Sequence, residues 1–484
     1  MKTHLRKALT LLLCMFLLVP VLAACTDTQT AGPTASGRPS ATPTAGGTGS
    51  SNVFGGTLRI AALDSAGLKD LVTGFRTLHP DTEVILDCAF GPDDPEMDDA
   101  ERAERRDAFA SRILLDMQNG EGPDLMDVSG LSFYDLFAQG LFDDLYTHMD
   151  SDPAFLREDY FENIFTALEY HEGLYAFPTA VAMPFVHVNS DILRNMGLDD
   201  AELNALSEKE TISSTQILEL YRVALDAGAA GGTLRLEDAD RGTSLLWEEL
   251  ACYLDAKSGT ARFDSPEFVA YLNTQRPLIE SAVFNPPSSM EITPKPPLLR
   301  YNTLISTGYF KMPALLSLID ILSADERNAF PYSLVLGESE EDRPFMAHHL
   351  LSIAENSENK ELAWAFITYC VAESPSVSYN QSAGLWHGDR FDAWVPVNRN
   401  SLKKYANAIG KDLVDGPVDN FTPKSCAALE SWVESLGRGP LFFDLTLFDD
   451  ILAEYCNEII DAEECANQMQ ELAEEYFASM SPGE

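Results

Sequence analysis

The chain has 484 residues, of which 45% are hydrophobic and 10% aromatic, enough for a globular body of more than one domain. Its 33 Lys and Arg residues are outnumbered by 76 Asp and Glu residues, giving a formal net charge of −43 at pH 7. Phosphate backbones repel such a chain, which argues against a nucleic-acid partner. Eight cysteines without Cys-x-x-Cys spacing predict neither a zinc site nor a disulfide framework, with Cys456–Cys465 as one possible bridge.

The first 24 residues have the pattern of an export signal. Lys2, Arg6 and Lys7 form a positive start, and residues 9–19 form an apolar core. This core is too short to cross a bilayer, which takes roughly 20 apolar residues. We therefore expect residues 1–24 to be a signal peptide.

The signal ends in a motif that predicts a membrane anchor. Residues 22–25, Leu-Ala-Ala-Cys, resemble the lipobox of bacterial lipoproteins, in which the cysteine is acylated and becomes the first mature residue. The resemblance implies a lipid on Cys25 and a place on the outer face of the cell membrane. The residues up to 56 are rich in Thr, Gly, Ser and Pro, so we expect 25–56 to be the lipidated cysteine and a flexible linker. The alternative is an ordinary secretory signal in which Cys25 is incidental.

The folded body begins with an α/β pattern. Residues 57–63 predict a strand that ends in the polar pair Asp64 and Ser65. Apolar residues at helical spacing over 68–78, then alternating over 84–90, predict a helix and a second strand. A strand, a helix and a strand this close together predict a parallel β-α-β unit. The alternation continues with a helix around residues 109–117 and a strand at 125–128.

Later segments are more helical. Residues 265–267, Ser-Pro-Glu, have the cap and the proline that a helix start favours. Apolar residues over 362–370 line one face of another helix. Asp461 and Glu464 form a capping-box pattern that opens the last helix. The C-terminus is therefore predicted to be helical.

Four stretches carry short motifs in a definite order. They are residues 75–80 (Phe-Arg-Thr-Leu-His-Pro); residues 122–128 (Gly-Pro-Asp-Leu-Met-Asp-Val) with 140–145; residues 173–178 (Gly-Leu-Tyr-Ala-Phe-Pro) with 186–191 and 196–198; and residues 359–367 (Asn-Lys-Glu-Leu-Ala-Trp-Ala-Phe-Ile) with 396–398. In order and spacing they resemble the extracellular solute-binding proteins of ABC importers, specifically the carbohydrate-type family that includes maltose-binding protein. The resemblance covers nearly all of the folded body.

The resemblance implies an α/β, two-lobed periplasmic-binding-protein-like (type II) fold with hinge crossovers. By position, the chain should cross between lobes near 179–184, near 345–350 and near 395–398. Lobe one would be 57–181 with 347–396, and lobe two 182–346 with 397–484. Pro178 and Pro184 agree with this, because they bracket a stretch that cannot lie inside a helix.

The implied function is capture of a small solute, a sugar or oligosaccharide, and its delivery to ABC permease subunits. Two positions depart from the pattern: some maltose-type binders carry an acidic residue where this chain has Ala182, and a tryptophan where it has Val128. A non-sugar solute such as a polyamine or a peptide therefore stays open.

An anchored glycoside hydrolase is the rival class, because 76 acidic residues offer many carboxylate pairs. Against it, the sequence contains no Gly-x-Ser-x-Gly, His-Glu-x-x-His or P-loop pattern, so we expect no enzyme activity and no cofactor. The acidic run 93–101 lacks calcium-loop spacing, and His348-His349 forms no metal-ligand spacing, so no metal site is predicted.

Sugar binding needs polar groups for the hydroxyls and flat apolar rings for the C–H faces. Polar candidates lie at or just after the ends of predicted strands: Asp64, Ser65, Asp127 and Ser129. Their alternative role is to cap helices. Aromatic candidates are Phe185 after the first crossing, Tyr309, Trp386 and Trp394. For these the alternative is core packing.

Overall fold

The computed structural model describes the folded body from residue 54 onward, with gaps. The described residues are 54–65, 68–91, 94, 97, 99–131, 133–189, 193–194, 197–202, 211–213, 216–217, 235–238, 250–255, 258–284, 303–310, 329–335, 343–372, 394–403, 423–439 and 445–480. The predicted signal peptide, Cys25 and Trp386 lie outside them, and Phe185 and Tyr309 are described by their backbones.

The body mixes helices and strands throughout. The strands are β1 (Gly56–Asp64), β2 (Thr82–Phe90), β3 (Leu125–Asp127), β4 (Phe177–Asn189), β5 (Thr211–Ser213), β6 (Arg235–Asp238), β7 (Leu254–Asp255), β8 (Thr260–Ala261), β9 (Thr303–Phe310), β10 (Ala329–Val335), β11 (Arg343–Pro344), β12 (Met346–Ile353), β13 (Val395–Pro396) and β14 (Leu436–Arg438). The helices are α1 (Leu68–Leu78), α2 (Asp99–Gln118), α3 (Phe133–Ala138), α4 (Leu145–Ser151), α5 (Glu162–Leu168), α6 (Pro266–Phe284), α7 (Lys360–Val371), α8 (Pro423–Glu434), α9 (Asp449–Cys456) and α10 (Ala462–Met480). The predicted elements of the N-terminal half and of the C-terminus are confirmed.

The first strands form the predicted parallel unit. β1 pairs in parallel with β2 on one side, with Leu58 opposite Val84, and with β3 on the other, with Ile60 opposite Leu125. β12 continues the sheet antiparallel to β3, with Leu351 opposite Asp127. The carboxyl ends of β1, β2 and β3 therefore lie along one edge of the sheet.

β4 connects two parts of the ten-stranded sheet. Its residues 177–182 pair with β12, and two of them also with β13, whereas residues 183–189 pair with β9 and β10. We name the part containing β2, β1, β3 and β12 the first half-sheet, and the part containing β9, β10, β5 and β6 the second half-sheet. The change of partner after Ala182 lies within the stretch predicted for the first crossing. Pro184 has no N–H to donate, and the ladder with β10 begins one residue later, at Phe185.

The described residues of the compact unit Ser51–Glu484 form two hydrophobic cores. In the first, α1 and α7 pack together through Phe75 and Phe366, whose ring centroids are 5.2 Å apart with nearly perpendicular planes. Trp364 on α7 is buried there. The second core is formed by α6, α9 and α10 around Phe263, Phe268 and other apolar side chains. The helical C-terminus thus has a core of its own.

The predicted helix starts of the second core are confirmed. Ser265 Oγ accepts a hydrogen bond from Phe268 N at 3.2 Å, and Asp461 Oδ1 accepts one from Glu464 N at 2.9 Å. Cys456 and Cys465 are free thiols, so the bridge considered for them does not form. Among the described helices, none combines the length and the apolar character needed to cross a membrane.

α8 and β14 pack into the first core, although they follow the third predicted crossing. Leu429, Val433 and Leu436 are buried with the residues of the first half-sheet. Asn163 on α5 donates through Nδ2 to the carbonyl oxygens of Val433 and Leu436, both at 2.7 Å. This stretch was expected in lobe two, yet its packing partners belong to the first core.

Candidate functional site

At the amino end of β3, the carboxylate of Asp124 links two of the sequence motifs through hydrogen bonds. Asp124 is 3% exposed. Its Oδ2 accepts from Arg59 N at 2.8 Å, and its Oδ1 accepts from Ser357 Oγ at 2.7 Å and Asn359 Nδ2 at 3.1 Å. The carboxylate therefore joins the second motif to the start of the fourth, 235 residues apart. Its bonds hold the fold together and leave it no visible role toward a solute.

The carboxyl end of β1 carries the first predicted polar pair. Asp64 is exposed, whereas Ser65 is buried at 4% exposure. The Ser65 hydroxyl has no hydrogen-bond partner among the described residues, so it does not cap α1 there; its backbone N–H donates to Phe90 O at 3.3 Å. The structure places the pair at the sheet edge where solutes bind in open α/β sheets. Contact with a solute stays a prediction for both.

The carboxyl end of β3 holds the second predicted pair in a tight network. Asp127 Oδ1 accepts from Ser129 N at 3.0 Å and Leu350 N at 3.1 Å. Leu350 N also donates to Ser129 Oγ at 2.9 Å. Asp127 Oδ2 lies 2.6 Å from Nδ1 of His349. Asp127 is 6% exposed, so this carboxylate works through protein partners.

The Asp127 carboxyl is held in its ionised form. Burial alone would raise its pKa, because a low-dielectric environment disfavours the charge. The charge of His349 and hydrogen bonds from His349 and Ser129 outweigh burial, so the pKa of Asp127 lies below its usual value of 3.8. An ionised carboxylate accepts only, which assigns the Nδ1 proton to His349.

Three rings continue from Asp127 toward the crossing strands. The ring centroids of His349 and His348 are 4.1 Å apart. Beyond them, the His348 ring stacks on the Trp394 indole with a centroid distance of 4.6 Å and an interplanar angle of 8°. We call His349, His348 and Trp394 the ring row. It connects three of the predicted site residues, Asp127, Ser129 and Trp394, through two histidines.

The ring row lies where three strands meet. Trp394 directly precedes β13, whose Val395 is opposite Val181 of β4. His348 on β12 is opposite Ala180 of β4, and its carbonyl oxygen accepts from Thr179 Oγ1 at 2.8 Å. All these residues lie close to the position at which β4 leaves the first half-sheet. The sequence signal for them is the histidine pair at the second predicted crossing.

Other predicted positions lie on the second half-sheet or in the core. The backbones of Phe185 on β4 and Tyr309 on β9 are one register position apart, because Pro184 is opposite Tyr309. Ala182 and Val128, the two departures from the maltose-type pattern, are both fully buried, so neither presents a group to solvent. Among the described residues, no three His, Cys, Asp or Glu side chains cluster as metal ligands would.

Comparison with known proteins gives a likeness in structure. No protein-family model and no curated protein matches the chain. Among solved structures, the sugar-binding protein MalE from Xanthomonas citri is similar at 13% identity and a TM-score of 0.54, with 88% of this chain and 98% of that chain covered. A cyclic alpha-maltosyl-1,6-maltose binding protein from Arthrobacter globiformis is similar at 13% identity and a TM-score of 0.51, covering 89% and 100%.

An ABC substrate-binding protein from Listeria monocytogenes, solved in complex with cycloalternan, is also similar. It has 13% identity and a TM-score of 0.52, with 87% of this chain and 99% of that chain covered. The chain has the α/β, two-lobed periplasmic-binding-protein-like fold. The candidate site of this chain is the region where β4 changes its pairing partner, together with the ring row beside it.

Proposed function

We propose that this protein binds a sugar or oligosaccharide between its two lobes and delivers it to the permease of an ABC importer. The observation that carries the proposal is the position of β4. This strand pairs with both half-sheets and lies beside the ring row and the hydrogen-bonded side chains of Asp127 and Ser129. Ligand between the lobes could contact both half-sheets at once, and closure follows when both contacts favour the closed form. The similar structures include a complex with cycloalternan, a sugar-binding protein and a cyclic alpha-maltosyl-1,6-maltose binding protein, which supports the same class of solute.

The contacts we propose combine rings and polar groups. Trp394 supplies a flat indole for the C–H face of a pyranose, and the hydroxyl oxygen of Ser129, a partly exposed residue, can accept from a sugar hydroxyl. Asp64 lies on the same sheet edge and can accept from a sugar hydroxyl. Phe185 and Tyr309 are proposed contacts from the second half-sheet, and Trp386, which lies outside the described residues, is proposed with them.

The two lobes are proposed along the half-sheets. α8 and β14 pack into the first core through Leu429, Val433 and Leu436. We therefore propose that residues 423–438 join lobe one, while the second core of α6, α9 and α10 belongs to lobe two. The remainder of the predicted boundaries is kept.

The binding test is calorimetric titration of the mature protein without its lipid. The panel is glucose, maltotriose, cellobiose, xylobiose and the polyamine spermidine. We expect saturable heat with at least one sugar and no chemical change in that sugar afterwards. Binding of spermidine alone would move the assignment to a polycation, which a net charge of −43 would also attract. Release of monosaccharide from the oligosaccharides would instead indicate a hydrolase.

The anchor has its own test. We propose that Cys25 is acylated and that the linker holds the folded body at the outer face of the membrane. Expression of the full chain in a bacterial host should give a membrane-bound protein whose N-terminal peptide carries the mass of the lipid. Cys25→Ala should release the protein into the soluble fraction. Equal partitioning of both forms would contradict the anchor and leave the binding proposal untouched.

A further inference from the structure

The ring row exists because one strand residue has an unusual backbone. Consecutive residues of a β-strand point to opposite faces, so the rings of His348 and His349 should lie on opposite sides of β12. Their centroids are instead 4.1 Å apart. His349 has φ of 45°, in the left-handed region that few non-glycine residues adopt, although asparagine, aspartate and histidine do so more often than the others. Among the described residues of β12, only His349 has a positive φ.

Hydrogen bonds hold this conformation at three successive residues. Thr179 Oγ1 donates to the carbonyl oxygen of His348 at 2.8 Å. Asp127 accepts from the His349 ring at 2.6 Å. The next N–H, that of Leu350, donates to both Asp127 and Ser129. A strained backbone persists only where its surroundings over-determine it, and such positions cluster at ligand sites.

The consequence is a fixed orientation for the Trp394 indole. With an interplanar angle of 8°, the His348 imidazole supports one face of the indole. Trp394 is attached to the short strand β13, which by itself sets the backbone and leaves the side-chain torsions open. The imidazole therefore restricts the plane that the indole presents at the crossing strands.

We infer that His348 and His349 are positioning residues for sugar binding: His349, left-handed and held by Asp127, turns the His348 ring onto Trp394, which then meets the ligand in a pre-set plane. The inference rests on the proposed function and adds to it the residues that orient the stacking ring. Pre-orientation strengthens binding because the ordering cost of the indole is met before the ligand arrives.

The first measurement needs no ligand. Near-ultraviolet circular dichroism reports the environments of all five tryptophans, so the signal of Trp394 is taken as the difference between the wild type and Trp394→Ala. We expect His348→Ala and His349→Val to lose the same tryptophan signal, because valine is disfavoured at positive φ. His349→Asn should retain it, since asparagine tolerates the left-handed region and its amide can donate to Asp127. An unchanged spectrum in His348→Ala and His349→Val would overturn the positioning role.

The matched control is a second histidine with nearly the same backbone. His171 has φ of 48° but lies exposed in the turn between Tyr170 and Gly173. His171→Val introduces the same backbone conflict away from the ring row. It should lower the melting temperature while keeping the tryptophan spectrum and the sugar affinity. Loss of either property in His171→Val would show that any strained histidine has the effect, and would overturn the inference.

The second measurement is calorimetric titration with the sugar panel of glucose, maltotriose, cellobiose and xylobiose, at a temperature where all variants are folded. We expect Trp394→Ala to weaken sugar binding about 10-fold or more, as for a buried aromatic contact. His348→Ala and His349→Val should weaken it about 3- to 10-fold, and His349→Asn should stay within about 2-fold of wild type. Unchanged affinity in Trp394→Ala and His348→Ala would overturn the inference while leaving sugar binding established. If the wild-type protein binds no sugar, the proposed function fails, and the spectra still decide whether the histidines orient the indole.

Discussion

A buried carboxylate lies at each end of β3, and the two carboxylates have different hydrogen-bond partners. At the amino end, Asp124 is bonded to the backbone N–H of Arg59, the hydroxyl of Ser357 and the side-chain amide of Asn359. At the carboxyl end, Asp127 is bonded to His349 and to the strand that leads into the crossing region. The strand between them is three residues long.

The comparison teaches that position along the sheet decides what a buried acid does. Both carboxylates have protein partners on both oxygens, and both are below a tenth exposed. Only the carboxyl end lies on the edge where solutes bind in open α/β folds. We therefore expect changes at the amino end to affect stability alone, and changes at the carboxyl end to affect binding as well.

The largest expected effect is at the amino end. Asp124→Ala removes the acceptor for Arg59 N, Ser357 Oγ and Asn359 Nδ2, so buried donors lose their partner. We expect a loss of about 3 kcal/mol in the free energy of unfolding, from the cost of unpaired buried polar groups. Urea denaturation measures it. The exposed Asp107, changed to alanine as a control, should shift stability by less than about 0.5 kcal/mol. A similar loss in both variants would contradict a stabilising role for the Asp124 hydrogen bonds.

At the carboxyl end, Asp127→Asn should cost about 2 kcal/mol at pH 7, as for a hydrogen bond to a charged group. The stability that the Asp127 carboxylate contributes should depend on pH in one direction. Because the folded pKa of Asp127 lies below its usual value, its stabilisation is complete above that value and is lost as pH falls through the folded pKa.

Urea denaturation from pH 6 down to pH 2 tests that direction. The wild-type protein should lose stability more steeply below about pH 4 than Asp127→Asn, so the two curves converge in acid. Parallel curves over the whole range would mean that the carboxylate is not stabilised by folding. Sugar affinity at pH 7 should also fall in Asp127→Asn but remain unchanged in the folded fraction of Asp124→Ala.

A smaller effect is expected from backbone crowding beside Asp124. A Cβ added at Gly122 would lie 2.9 Å from Cα of Met117, so the turn from α2 into β3 must shift. Gly122→Ala should lower the free energy of unfolding by about 1.5 kcal/mol, the range for overpacking. Gly140→Ala is not a suitable control because its φ is positive; Gly55→Ala is, since its nearest neighbour would be 3.5 Å away. No difference between the two variants would argue against a tight turn.

The smallest effect is expected for an ion pair that has good geometry but is exposed to solvent. Arg112 and Asp87 form a two-point ion pair with both distances at 2.8 Å, but their side chains are 48% and 46% exposed. Arg112→Ala should cost below about 1 kcal/mol, because water competes for exposed charges. Denaturation at low and high salt measures it, and salt should weaken the difference. A loss as large as that of Asp124→Ala would show that burial is not what separates the carboxylates.

The sequence by itself determined the order of the first three strands and the helices between them, the parallel unit of β1, α1 and β2, and the helix caps at Ser265 and Asp461. These features depend on residues near one another in the chain, through hydrophobic periodicity and local hydrogen bonds. Asp124 and Asn359 both belong to motifs that the sequence shows. The hydrogen bond between them could not be predicted from those motifs.

The tertiary structure decided the ring row. His349 adopts a left-handed backbone because of a contact with Asp127, which lies 222 residues earlier in the chain. Local propensity favours an extended histidine at that position, so its backbone could not be read from neighbouring residues. The packing of α8 and β14 into the first core was likewise decided by distant partners, such as Asn163. Periodicity shows which face of an element is apolar, whereas the identity of the surface that covers it is fixed only when the chain folds.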